Sequence, residues 1–98
     1  MLNDSKVVII PTYNEIENIE AIITKVLSLH GNFHILIIDD GSPDGTASEV
    51  KRLQAIPEYS ERIHLIERSG KLGLGTAYIT GFKWAVAHKM SSPTFFSP

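Results

Sequence analysis

Apolar residues form two unbroken blocks, Val7-Val8-Ile9-Ile10 and Ile35-Leu36-Ile37-Ile38, and each runs into a polar, acidic stretch. Continuous rather than alternating apolar runs of this length mark strands buried on both faces. After the first block, Ile16, Ile19, Ile22, Ile23, Val26 and Leu27 recur at helical spacing and predict a helix over 14–29. Thr12–Glu15 and Asn14–Glu17 are its competing capping pairs, and Gly31 lies past its end. After the second block, Ala47, Val50 and Leu53 predict a helix that stops before Pro57, with Ser42 or Asp44 as its cap and Pro43 at its first position. Ile63 to Ile66 reads as a short third strand. The turn Gly70-Lys71-Leu72-Gly73-Leu74-Gly75 then leads into a third helix through about His88.

Strands alternating with helices imply right-handed crossovers and a parallel sheet, an α/β class. Residues 1–89 form one such unit. Residues 90–98 hold two prolines, three serines and adjacent phenylalanines, and fit neither helical nor strand periodicity. Three strand–helix units leave one sheet edge open, which predicts self-association.

The composition narrows the function. At 98 residues and 43% hydrophobic side chains, the chain is a single globular domain at most. A net charge of −2 gives no electrostatic case for binding nucleic acid or an anionic membrane. There is no cysteine, which excludes disulfides and thiolate metal sites. Residues 1–6 are polar, without the apolar core of a signal peptide, and a cytoplasmic location is expected.

The chemistry concentrates after the strands, because ligands of open parallel sheets bind at the carboxyl ends of the strands. Glu15, Asp39 and Asp40 then share one sheet edge. Successive strand side chains point to opposite faces, so one aspartate can meet a ligand while the other holds the loop. A carboxylate is an acceptor suited to a nucleobase N–H or ribose hydroxyls, and Tyr13 offers an aromatic face. The alternative for the aspartates is an ordinary solvated turn. The glycine-rich turn admits a phosphate reading through Lys71 or a plain tight turn. Its G-x-x-G-x-G spacing matches neither common phosphate loop. The histidines are dispersed and suggest no zinc site.

These segments, Ile-Ile-Pro-Thr-Tyr-Asn-Glu, Ile-Ile-Asp-Asp-Gly-Ser-Pro-Asp-Gly-Thr and Gly-Lys-Leu-Gly-Leu-Gly-Thr-Ala-Tyr, resemble the family 2 glycosyltransferases. Within them the chain is most similar to the polyprenol-phosphate (dolichol-phosphate) mannosyltransferases. The resemblance covers about residues 5–88. It implies a GT-A, Rossmann-like fold and transfer of mannose from GDP-mannose to a polyprenol phosphate with inversion. It further implies a divalent cation, Mg or Mn, and work at the cytoplasmic face of a membrane for the full-length enzyme. Pro11, Tyr13, Glu15, Ile38 and Asp40 match donor-nucleotide positions, with Asp39 and Lys71 beside them. The family's Asp-x-Asp metal motif would follow the third helix, yet no Asp or Glu follows Glu67. A truncated, inactive chain that holds no metal well is therefore expected, with 90–98 outside the family pattern. Two alternatives stand beside this reading: another nucleotide-sugar donor or acceptor in the same family, and a non-catalytic receiver-like signalling domain.

Overall fold

The two apolar blocks pair in parallel over their whole length, as β1 (Lys6–Thr12) and β2 (Phe33–Asp39), from Lys6 opposite Phe33 to Thr12 opposite Asp39. The computed structural model describes residues 5–70 and 72–98. The other elements are α1 (Ile19–Leu27), α2 (Thr46–Gln54), β3 (Ile63–Glu67), α3 (Leu74–Ala87) and β4 (Ser91–Phe95). The strand order is β3-β2-β1-β4, and every pairing is parallel.

Both sheet faces are covered, which explains the unbroken apolar strands. Val8, Ile10, Ile35, Ile37 and Ile63 meet α1 and α2 through Ile19, Ile23, Leu27, Val50 and Leu53. Val7, Ile9, Leu36 and Ile38 face α3 through Ala77 and Ala85. The chain steps outward from β1 to β3 with α1 and α2 on one face. It then returns past β1 to β4 with α3 on the other, as a constant crossover hand requires. α3 sits close to the strands: a Cβ on Gly81 would collide with Ile9 Cγ2 and approach Ile38 Cδ1 at 3.2 Å.

Three sequence expectations need correction. The first helix begins at Ile19, not near residue 14. Asn14 takes a left-handed conformation (φ 57°), and neither predicted capping box forms. Side chains of the loop after β2 claim the backbone N–H groups that would have opened the helix. Second, Gly45 in a left-handed conformation caps α2, so Pro43 precedes the helix instead of starting it. Third, residues 91–95 form the strand β4, which pairs with β1 and occupies the sheet edge expected to be open. Its register with β1 shifts between Lys6 and Val8, next to Ser92 at φ 50° and Pro93.

Three of the four histidines, His34, His64 and His88, gather in space. His34 Nδ1 and His64 Nε2 lie 3.0 Å apart across β2 and β3. His64 packs on Trp84 (4.7 Å between centroids) and Trp84 stacks on His88 (4.0 Å). One nitrogen of the His34–His64 pair must donate and the other accept, so the pair cannot be doubly protonated. Burial lowers the pKa of His64 to about 4, with the charges of His34 and His88 adding to it. Burial and then Arg62 lower that of His34, against Glu61.

Gly81→Ala is expected to destabilise by about 1–3 kcal/mol in urea unfolding despite its better helix propensity, because the added methyl overpacks against Ile9. The fold holds His64 neutral, so its contribution is complete above the ordinary value of 6.5 and fades as pH falls toward 4. For this half-exposed ring, screening reduces the effect to on the order of 1 kcal/mol. Melting temperatures between pH 7 and 4.5 should fall less steeply in His64→Phe than in the parent chain.

Candidate functional site at the carboxyl ends of the strands

The β1–β2 register ends with Thr12 beside Asp39, and this pair organises the site. Thr12 Oγ1 donates to Asp39 Oδ1 at 2.8 Å in a buried hydrogen bond. The other described bonds to the Asp39 carboxylate come from Ser42, through its Oγ (2.6 Å) and its backbone N–H (2.9 Å). Asp39 is thus the brace of the turn after β2.

From that braced turn, three side chains reach back to the loop after β1. Ser42 Oγ accepts from the N–H of Asn14 (2.9 Å), Thr46 Oγ1 from Glu15 (3.0 Å) and Asp44 Oδ2 from Ile16 (3.1 Å). Desolvation pushes the Asp44 carboxyl up, but hydrogen bonds from the Thr46 hydroxyl and from the N–H groups of Ile16 and Thr46 outweigh it and hold it below its ordinary range. The loop carrying Tyr13 and Glu15 is therefore fastened to the loop carrying Asp39 and Asp40. Tyr13 is 39% exposed and Glu15 half-buried. A surface depression of about 430 Å³ lies on the outer side of this junction, against Asn14, Glu17, Pro43 and Asp44, and not between Tyr13 and Asp40.

Asp40, the second aspartate of the pair, is buried and is not alone. Arg68, just after β3, forks onto it with Nε–Oδ1 at 2.6 Å and Nη2–Oδ2 at 2.9 Å. The two side chains are only 10% and 8% exposed. Arg68 Nη1 also donates to Thr76 Oγ1 at the start of α3 (3.0 Å). The third sequence motif approaches the same place through glycine: Gly41 (φ +70°) packs so near Gly70 that a Cβ would lie 2.9 Å from its backbone nitrogen. Lys71 lies outside the described residues. Pro11 is the penultimate residue of β1, and the side chain of Ile38 is sealed in the core against α3.

Sequence reasoning brought together Tyr13, Glu15, Asp39 and Asp40 but missed Arg68. The signal was available, since Arg68 is the first residue after a parallel strand and so ends on the same sheet edge. No described cluster of three His, Asp or Glu side chains could hold a metal ion. Asp39 is engaged by Thr12 and Ser42, and Asp40 by Arg68, so the described residues do not assemble a site for a divalent cation.

Residues 7–87 match glycosyl transferase family 2. The chain is 46% identical over 79 residues to the polyprenol monophosphomannose synthase of Mycolicibacterium smegmatis, covering 81% of this chain and 29% of that protein. It is 38% identical over 78 residues to the undecaprenyl-phosphate mannosyltransferase of Micrococcus luteus, covering 80% and 31%. It thus spans about 30% of the length of these curated relatives. Among solved structures it resembles a mannosyltransferase from Pyrobaculum calidifontis in complex with GDP-Man and Mn2+. That likeness has a TM-score of 0.72 at 29% identity, over 81% of this chain and 24% of that one.

Asp40→Asn should cost about 3 kcal/mol in urea unfolding, because it strands a buried guanidinium. Replacing both partners, Asp40→Leu with Arg68→Met, should recover most of that loss.

Proposed function

The chain belongs to glycosyl transferase family 2, and from that membership we propose that it is the donor-nucleotide part of a polyprenol-phosphate mannosyltransferase, with GDP-mannose as donor. One observation carries the reading. The Tyr13–Glu15 loop and the Asp39–Asp40 turn are fastened together at the carboxyl ends of adjacent strands, where such folds bind nucleotides. The relatives named for polyprenol- and undecaprenyl-phosphate chemistry, and the neighbour solved with GDP-Man, support the donor and the acceptor class.

In this reading Tyr13 lies against the base and Glu15 accepts from base or sugar. Pro11 shapes the strand end. The sealed side chain of Ile38 acts only by shaping the wall beneath Asp40. Asp40 retains acceptor capacity beyond the two bonds from Arg68, since a carboxylate offers about four lone-pair sites. Asp39 sets the turn. Lys71 is placed by its motif alone, beside the glycine-rich turn. A polyprenol phosphate is already anionic at neutral pH and attacks with little help from a general base. The remaining demand is to stabilise charge on the departing diphosphate, which a divalent ion supplies in enzymes of this kind. Asp39 is engaged by Thr12 and Ser42 and Asp40 by Arg68, so the chain by itself is assigned binding and not transfer. The full-length enzyme works at a membrane, where its acceptor resides. Among the described residues, no helix is long and apolar enough to cross one.

Isothermal titration should show GDP binding more tightly than UDP or ATP. Tyr13→Ala should weaken GDP roughly tenfold through lost stacking. Tighter binding of UDP would move the chain to another nucleotide-sugar donor in the same family. Absence of binding to all three would overturn the reading.

A further inference from the structure

α3 is apolar on two opposite sides. Its inner side, Ala77, Gly81 and Ala85, is buried against the strands. Its outer side repeats Gly75, Ile79, Phe82 and Val86 at i, i+4, i+7 and i+11, which is one face of a helix. Ile79, Phe82 and Val86 are 57%, 51% and 60% exposed. The charge along the chain is one-sided. All 11 acidic residues of the chain precede Arg68, while Lys83 and Lys89 stand exposed at the flank and end of α3. Neither lysine forms an ion pair among the described residues.

We propose that the outer face of α3 docks on a lipid bilayer containing anionic headgroups, with Ile79, Phe82 and Val86 entering the interface and Lys83 and Lys89 meeting the phosphates. An apolar stripe with a cationic flank is the pattern of a helix lying in the plane of a membrane surface. The orientation suits the chemistry. The N-terminal turn of α3 carries Thr76, which bonds Arg68 beside Asp40, so docking brings the strand-end site to the headgroup level. The inference rests on the transferase reading only for the lipid-borne acceptor.

The test is cosedimentation of the 98-residue chain with phosphatidylcholine vesicles, with and without phosphatidylglycerol, free of polyprenol and nucleotide. The chain should partition to anionic vesicles and be released by salt. Ile79→Glu and Phe82→Glu should each lower the partition roughly tenfold, with circular dichroism confirming the fold. Lys83→Glu should erase the preference for anionic lipid, whereas Lys25→Glu, on the other side of the sheet, should leave binding unchanged. No partition, or partition that Ile79→Glu and Phe82→Glu leave intact, overturns the proposal. So does light scattering that shows a dimer dissociated by those variants without vesicle binding. Any of these results leaves the GDP assay, and the reading it tests, unaffected.

Discussion

The register of β1 against β2 is the constraint on which the rest depends. It sets Thr12 beside Asp39 at the last rung, and their buried hydrogen bond closes the pair at its functional end. Both strands are buried on both faces, so a slip of β1 by one residue would send Val7 and Ile9 into the layer of α1 and α2. It would also part Thr12 from Asp39. Core packing and site assembly are thus fixed by one alignment. The loop contacts from Ser42, Asp44 and Thr46 can form only once it is in place.

The site is correspondingly polar but internally satisfied. Among the described side chains, no buried polar atom lacks a hydrogen-bond partner. Arg68 matters most here. A buried aspartate at a strand end would otherwise be costly, and the bidentate fork makes it tolerable while tying β3 and the start of α3 to β2. The same fork turns Asp40 away from the role of metal ligand. A carboxylate held this way can still accept from a ribose or base. A divalent ion would have to displace the guanidinium of Arg68.

Much of this was legible in the chain. The two apolar blocks, their acidic ends and the alternation of elements give β1, β2, β3 and the parallel sheet. They also explain why the family likeness and the fold agree. The start of α1 was not legible, because side chains some 28 to 31 positions away capture the N–H groups of Asn14, Glu15 and Ile16. No local capping rule can see that competition. β4 was hidden for another reason. It is an edge strand with a shifted register, where a proline and a left-handed serine are tolerated and periodicity is lost. The histidine stack joins three elements, and only the sheet register and the placement of α3 bring it together.

The net charge of −2 concealed a division. The part of the chain that forms α1, α2 and the first three strands carries every acidic residue, and the part that forms α3 and β4 carries none. α3 is the one described helix on its side of the sheet, and its inner face accepts only small residues because Ile9 and Ile38 fill the space beneath Gly81. The core therefore makes no demand for Ile79, Phe82 or Val86. Polar residues at those three positions would fold as well and leave less apolar surface in water. Large apolar side chains that the core beneath α3 does not require, on a face flanked by lysines without an ion pair among the described residues, fit the proposed bilayer surface. Because α3 starts at the Arg68–Asp40 pair, such a surface would also fix the distance between the nucleotide site and anything embedded in it.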